Sequence, residues 1–80
     1  MEAEFEEAKK VVESKVDSLS QEQMLKFYGL FKQALIGDCN IESPGFLYFR
    51  ANAKWDSWNS MKGINKENAM KLYIEESKKL

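Results

Sequence analysis

The sequence contains no histidine, and this absence removes much familiar catalytic and metal-binding chemistry. Without an imidazole, the chain has no Ser-His-Asp or Cys-His catalytic set and no nitrogen ligand for zinc. Its one cysteine, Cys39, has no partner for an intramolecular disulfide or a thiolate metal cage, which is typical of a reducing compartment. We therefore expect an ordinary thiol at Cys39, and neither a metal nor a cofactor.

Long apolar segments are also missing. Residues 1–7 lack the basic and apolar regions of a secretory signal, and the longest apolar runs fall far short of the roughly 18 residues that indicate a membrane span. We expect a cytoplasmic protein with no stable membrane insertion. The 80 residues, 44% hydrophobic and 31% charged, have the composition of one compact domain over residues 1–80.

The net charge is only −1, but it is unevenly distributed. Residues 1–25 contain seven acidic and three basic residues, whereas residues 26–71 contain seven basic and four acidic ones. This surplus of positive charge in the middle of the chain suits a small anion. It is too weak for duplex nucleic acid, whose binding depends on many phosphate contacts, so we predict no nucleic-acid partner.

Apolar residues recur at helical spacing in four segments, and no alternating strand pattern competes with them. The spacing predicts helices over about residues 3–16, 21–36, 50–62 and 66–80, and hence an all-α fold. Ser20 and Gln23 form a capping-box pattern at the start of the second helix. Gly37 is expected to end that helix in the left-handed conformation, and Asn65 to cap the fourth. Gly63 is expected to close the third.

Residues 37–49 contain the only proline, Pro44, followed by Gly45, and have no helical or strand period. This segment is predicted to be a long loop between the second and third helices. A connection of more than about a dozen residues in so short a chain is unusual and hints at a function. We expect Phe46, Leu47 and Phe49 to fold back onto the core.

Two lysines stand among aromatic residues. Tyr28 and Lys32 share a face of the second helix, and Lys54 lies beside Trp55 and one turn before Trp58. Ammonium groups at the edge of an aromatic face suit a ligand with phosphates and a flat ring, because lysine binds the anion and tyrosine stacks on the ring. Core aromatics with solvated lysines give the same pattern, so the spacing alone leaves both interpretations open.

Longer motifs favour the first interpretation. They occur in a defined order: residues 5–8 (FEEA), 24–34 (MLKFYGLFKQA), 37–38 (GD), 44–45 (PG), 53–58 (AKWDSW) and 69–73 (AMKLY). Together they closely resemble the acyl-CoA-binding protein family over nearly all of the chain. The resemblance implies an up-down four-helix bundle that binds long-chain acyl-CoA thioesters as an intracellular carrier and pool-former, without transforming them and without a cofactor.

The resemblance also implies roles for individual side chains. The adenine of CoA would lie near Tyr28, its 3′-phosphate would meet Lys32, Lys54 and Tyr73, and Arg50 stands where the family often has another cation. Residues that match core or supporting positions are Phe5, Ala8, Trp55 and Trp58. The residues that we predict to contact the ligand, including two that match the acyl groove, are Tyr28, Lys32, Lys54, Tyr73, Met24, Leu25, Arg50 and Phe31.

The chain departs from the family pattern at four positions. Lys9 stands where a small residue is usual, Glu13 and Asn52 replace frequent lysines, and Phe31 replaces a frequent tyrosine. These changes remove positive charge and a hydroxyl from the predicted rim of the site. We therefore expect the same ligand class with an altered head-group affinity or chain-length preference.

Two other classes of function remain as alternatives. One is a small helical interaction module whose aromatic face receives an amphipathic partner helix. The other is a thioesterase, which the lack of a histidine and of a serine beside an evident base argues against. We expect a monomer that contacts membranes or enzymes transiently, if at all, during delivery of its ligand.

Overall fold

The computed structural model describes residues 1–80 and contains four α-helices and no strand. The helices are α1 (Glu2–Ser14), α2 (Gln21–Leu35), α3 (Phe49–Asn59) and α4 (Lys66–Ser77). Short 3-10 turns at Val16–Ser18 and Phe46–Tyr48 precede α2 and α3. The all-α prediction is confirmed, but each helix ends one to three residues before its predicted end because the last turns tighten or leave helical geometry. None of the helices is long and apolar enough to cross a bilayer.

The helix ends follow from local sequence. Ser20 and Gln23 form the predicted capping box: the Gln23 N–H donates to Ser20 Oγ at 3.1 Å, and the Ser20 N–H donates to Gln23 Oε1 at 2.8 Å. Gly37 and Gly63 have φ values of 98° and 94°, which residues with a Cβ adopt only with strain. Asn65 Oδ1 accepts from the N–H of Asn68 at 2.7 Å, as predicted for the cap of α4.

Helix α2 is central to the packing. It contacts α4 and α3, and α1 lies against α4. The molecule is flat, measuring 35 × 28 × 14 Å along its principal axes. Because so thin a shape encloses little volume, only 12 of the 80 residues are buried, and specific polar contacts must hold much of the chain in place.

The hydrophobic core lies where α1, α2 and α4 meet. Its centre is the ring of Tyr73, which meets the rings of Phe5 and Phe27 edge to face with centroid separations of 5.1 Å each. The buried residues that form this core are Phe5, Ala8, Phe27, Leu30, Ala34, Ala69, Tyr73 and Ile74.

Helices α2 and α3 pack closely at Gly29. A Cβ atom at this position would lie 2.5 Å from Ser57 Oγ and 2.7 Å from the Ser57 carbonyl oxygen. Ser57 Oγ also donates a hydrogen bond to the Leu25 carbonyl, one turn earlier on α2. The absence of a side chain at Gly29 therefore sets the distance between the two helices.

A buried amide holds the ends of two connections together. Gln33 is fully buried, and its Nε2 donates to Asp38 Oδ1 at 2.9 Å and to the Ile64 carbonyl at 2.7 Å. The same Asp38 oxygen accepts from the Gly63 N–H at 2.9 Å. This network joins the segment after α2 to the turn between α3 and α4, which brings α3 alongside α2.

The prediction that Phe46, Leu47 and Phe49 fold back onto the core is wrong, because all three side chains are largely exposed. The helix that precedes the loop, α2, already packs against α3 and α4, and the loop side chains pack against neither face. Polar contacts hold the loop instead of apolar ones. Trp55 Nε1 donates to the Ile41 carbonyl at 2.8 Å, and Trp58 Nε1 donates to the Gly37 carbonyl at 2.8 Å.

Gly29→Ala is expected to destabilise the protein by about 1 to 3 kcal/mol, because the added methyl group meets backbone atoms of Ser57 that have no room to move. Intrinsic helix propensity acts in the opposite direction, by about 1 kcal/mol in favour of alanine. Urea unfolding of the variant and of the wild type measures the net change in the free energy of unfolding. A variant more stable than the wild type would contradict the close approach.

Asp38→Asn is expected to weaken the pH dependence of stability in acid. Hydrogen bonds, first from the Gly63 N–H and then from Gln33, hold the pKa of Asp38 below 3.8. Since the folded-state pKa is lowered, the carboxylate stabilises the fold above its unfolded pKa, and this contribution is lost as the pH falls through the folded value. Urea unfolding near pH 7 and near pH 3 measures the difference.

The matched control is Asp56→Asn, an exposed carboxylate on α3. Glu76 has a pKa lowered by hydrogen bonds from Lys79 and Lys26, so some acid sensitivity persists in every variant. Equal loss of stability on acidification in Asp38→Asn and in the wild type would show that the Asp38 network contributes nothing.

Candidate ligand-binding groove

Two adjoining cavities run along α2. The α1–α2 cavity, of about 340 Å³, lies between α1, the first 3-10 turn and α2. The α2–α3 cavity, of about 320 Å³, lies between the start of α2 and α3. Both are lined by Met24, Tyr28 and Lys54, so they form one continuous feature, which we call the groove.

The α1–α2 cavity is mainly apolar. Apolar side chains of α1, the 3-10 turn and α2 line it, and this surface offers an alkyl chain shelter from water. Its lining residues are Lys9, Val12, Glu13, Val16, Leu19, Met24, Phe27, Tyr28, Phe31, Lys54 and Tyr73.

The α2–α3 cavity carries the positive charge of the groove. Arg50 and Lys54 lie one turn apart on α3 and both line it. Lys54 Nζ lies 5.5 Å from the centroid of the Tyr28 ring, within range of a cation–π contact. One cation, Lys54, and one aromatic ring, Tyr28, therefore lie where the cavities join, and Arg50 adds a second cation on the α3 side. The residues lining this cavity are Gln21, Met24, Leu25, Tyr28, Arg50, Ala53 and Lys54.

Tyr73 supplies a neutral hydroxyl group to the apolar part of the groove. Its ring is buried, and its hydroxyl makes no hydrogen bond within the protein. Burial raises the pKa of Tyr73 to about 12, and the nearby carboxylate of Glu13 acts in the same direction. The phenol thus stays protonated at physiological pH and is available as a hydrogen-bond donor.

The α1 side of the groove carries one partnered and one unpartnered charge. Lys9 forms an ion pair with Glu6 at 2.8 Å, and its Nζ lies 5.2 and 5.6 Å from the ring centroids of Phe5 and Phe31. Lys9 is thereby held against aromatic rings. Glu13 lines the α1–α2 cavity without an ion pair, so this rim presents a carboxylate to any ligand.

Another cavity, of about 370 Å³, lies between α1 and α4. It is slightly larger, but none of the predicted ligand-contact residues lines it, and it offers no aromatic ring. Its walls are Ala3, Glu4, Glu7, Ala8, Val11, Ile74, Ser77 and Lys78. The groove alone combines apolar shelter with paired cations and aromatic faces, so we take it as the candidate site.

The chain matches known proteins over nearly its whole length. The family model described as "Acyl CoA binding protein" matches residues 2–77. A relative from the genus Hypsibius, named "Putative acyl-CoA-binding protein", is 42% identical over 80 residues, which is all of this chain and 90% of the relative. This chain belongs to the acyl-CoA-binding protein family.

Solved structures of acyl-CoA-binding proteins share the fold. The chain superposes on acyl-CoA-binding protein 2 of Oryza sativa with a TM-score of 0.93 at 38% identity, covering 99% of this chain and 88% of that one. The corresponding values for the protein from Moniliophthora perniciosa are 0.82 and 39%, with 95% and 76% covered. The predicted up-down bundle agrees with these likenesses.

The structure gathers seven of the eight predicted ligand-contact residues of the acyl-CoA-binding protein pattern around the groove. Met24, Tyr28 and Lys54 lie at the junction. Phe31 and Tyr73 lie in the α1–α2 cavity, and the α2–α3 cavity adds the remaining two, which are Leu25 and Arg50. Their contact with a ligand stays a prediction.

Lys32 is the eighth residue, and it lies outside both cavities. Its Nζ is 4.9 Å from the centroid of the Trp58 ring. Sequence reasoning also missed four residues of the apolar wall as groove residues, and these are Val12, Val16, Leu19 and Phe27. The i, i+4 spacing of the two valines on the apolar stripe of the predicted first helix was the available signal, but this stripe also predicts ordinary core packing.

Tyr73→Phe is expected to leave stability unchanged near neutral pH and to improve it in alkali. In the wild type the folded-state pKa, about 12, exceeds the ordinary value of 10.0, so the unfolded chain releases the Tyr73 proton first. Stability is therefore lost progressively as the pH rises from 10 toward 12.

Urea unfolding near pH 8 and near pH 11.5 measures this effect. Lysine deprotonation affects both proteins alike, so the difference between them isolates the phenol. Tyr28→Phe serves as the matched control, because that ring is only half-buried. The same alkaline loss in Tyr73→Phe and in the wild type would contradict the raised pKa of Tyr73.

Proposed function

We propose that this protein binds long-chain fatty acyl-CoA thioesters and serves as an intracellular carrier and pool-former for them. In this proposal it is a cytoplasmic monomer, a single acyl-CoA-binding domain, that needs no cofactor and performs no reaction on its ligand. The observation that carries the proposal is the junction at Tyr28 and Lys54, where an apolar cavity and a cationic cavity meet in a member of the acyl-CoA-binding protein family.

The cationic end suits the nucleotide of CoA. Adenine stacks on the face of Tyr28, and this requires the Lys54 ammonium to move from above the ring toward a phosphate. Arg50, one turn earlier, offers a planar guanidinium for a second phosphate contact. The ligand thus replaces a weak cation–π contact with charge-assisted hydrogen bonds.

Lys32 and Tyr73 complete the proposed head-group contacts. The Lys32 ammonium reaches a phosphate after it swings away from the Trp58 indole, a movement that its flexible stem permits. Tyr73 donates through its protonated hydroxyl, which has no partner in the protein. In the proposed complex, Lys32 leaves the Trp58 ring and the Tyr73 hydroxyl gives up water, and both then contact the 3′-phosphate.

The apolar end suits the acyl chain. Burial of a methylene contributes roughly 0.8 kcal/mol, so ten methylenes contribute about 8 of the 12 kcal/mol that nanomolar binding requires. Two or three charge-assisted hydrogen bonds of roughly 1.5 to 3 kcal/mol each supply the remainder. High affinity therefore needs both ends of the ligand, which supports selection of the CoA ester over free fatty acid or free CoA.

Lys54→Ala and Tyr28→Ala are each expected to weaken binding of palmitoyl-CoA, measured by calorimetry. Loss of a charge-assisted hydrogen bond at Lys54 corresponds to about a 10- to 150-fold higher Kd. Loss of stacking at Tyr28 corresponds to a similar range, on the order of 1 to 3 kcal/mol. Lys71→Ala, an exposed lysine of α4 outside the groove, is the matched control and should bind like the wild type.

The same titration with palmitate tests the need for both ends, and palmitate is expected to bind far more weakly. Release of free thiol from palmitoyl-CoA in the presence of the protein would identify a hydrolase. An interaction module for partner helices would show no saturable binding of acyl-CoA. Unchanged affinity in both Lys54→Ala and Tyr28→Ala would contradict the head-group assignment.

A further inference from the structure

Four successive apolar side chains project from the 3-10 turn before α3 and from the first residue of α3. Phe46, Leu47, Tyr48 and Phe49 are 84%, 77%, 66% and 72% exposed, and we call them the loop patch. Isolated exposed apolar residues are common, but a run of four this accessible is not, because each gives up burial that the fold would reward. The loop patch contributes nothing to the core.

The loop patch is held in position by polar contacts. Ser43 Oγ donates to Asn52 Oδ1 at 2.5 Å and accepts from the Gly45 N–H at 3.2 Å. The Tyr48 N–H donates to the Gly45 carbonyl at 3.1 Å and closes the 3-10 turn. Asn52, one of the four departures from the family pattern, thus fastens the loop to α3. A partner would meet a preformed surface.

The size of the loop patch favours a membrane over a protein partner. With about 150 to 250 Å² for each aromatic side chain, the exposed parts of the four residues sum to roughly 500 to 600 Å². A stable dimer needs about 800 Å² from each partner. Insertion of a few aromatic and aliphatic side chains into a bilayer interface has no such minimum area, and tyrosine and phenylalanine suit that region.

Charge and position favour a bilayer with anionic lipids. Between Pro44 and Trp55 the sequence contains two basic residues, Arg50 and Lys54, and no acidic one. Arg50 lies directly after the loop patch and lines both a shallow cavity beside it and the α2–α3 cavity of the groove. The apolar surface, the cations and the groove are therefore continuous.

We propose that the loop patch docks the protein onto anionic bilayers, with the groove open toward the lipid headgroups. This inference rests on the proposed function, because docking in this orientation places the cationic end of the groove where acyl-CoA enters or leaves the membrane. The apolar side chains of the loop patch enter the interface, and Arg50 faces the lipid phosphates.

The test measures binding of the full chain to vesicles of phosphatidylcholine mixed with phosphatidylserine. Energy transfer from Trp55 and Trp58 to dansyl-labelled lipid reports binding. The double variant Phe46→Ser/Leu47→Ser is expected to bind vesicles about 100-fold more weakly. A matched double variant at partly exposed apolar positions outside the loop, Ile36→Ser/Leu72→Ser, should bind like the wild type.

Vesicles of phosphatidylcholine alone and calorimetry with palmitoyl-CoA complete the design. Weaker binding to the uncharged vesicles and an unchanged palmitoyl-CoA affinity in Phe46→Ser/Leu47→Ser would support the proposal. Equal vesicle binding by that variant and the wild type would overturn it while leaving the proposed function intact. A third outcome is that the variant loses vesicle binding while neither the variant nor the wild type binds palmitoyl-CoA. This result would support membrane docking and contradict the proposed function.

A second copy of the chain is the remaining candidate occupant. Sedimentation equilibrium of the wild type and of Phe46→Ser/Leu47→Ser distinguishes it. Self-association that the variant abolishes, without vesicle binding by the wild type, would assign the loop patch to a dimer and overturn the membrane proposal.

Discussion

The close approach of α2 and α3 at Gly29 controls the geometry of the groove. Tyr28 is the neighbour of Gly29 on α2, and Lys54 lies three residues before Ser57 on α3, so the backbone contact between Gly29 and Ser57 fixes the distance from the aromatic ring to the ammonium group. Arg50 lies on the same helix as Lys54 and is positioned by the same contact. A side chain at Gly29 would move both cations away from α2.

Other contacts in the bundle hold α3 in its position against α2. Because the bundle is thin, apolar burial alone does not determine where α3 lies, and the buried amide of Gln33 adds a directional constraint. Trp58 and Trp55 donate indole hydrogen bonds to the loop carbonyls of Gly37 and Ile41. Several residues of the family motifs therefore hold the groove residues in position through contacts within the protein.

Much of the helical framework was predictable from the sequence because its signals are local. The capping box of Ser20 and Gln23 and the cap at Asn65 involve residues three apart, and both occur as predicted. The exposure of Phe46, Leu47 and Phe49 was not predictable, because it depends on whether the assembled bundle leaves an apolar face free. Local composition contains no information about that face, and hydrophobicity alone predicts burial.

In the candidate site, too, the sequence predicts some features, whereas others depend on how the helices assemble. Tyr28 and Lys54 come together as the motifs predict, but spacing within a helix gave no indication that Lys32 lies against Trp58 instead of lining the groove. That contact joins α2 to α3, and its geometry depends on the crossing of the two helices. The electrostatic effect of Glu13 on Tyr73 of α4 is equally distant in sequence, so helical spacing does not predict it.

The charges around the groove give it a direction. Arg50 and Lys54 stand on the α3 side, whereas Glu13 stands on the α1 side and Lys9 is held by Glu6. An anion is attracted to the first side and repelled by the carboxylate on the second, and this holds most strongly where water is excluded. In the proposed complex, these charges favour an orientation of the ligand with its anionic end on α3 and its apolar chain along α1. Tyr73 can lie beside either the anionic or the apolar end of such a ligand. Its phenol is neutral, so it does not add to the repulsion that the Glu13 carboxylate exerts on an anion.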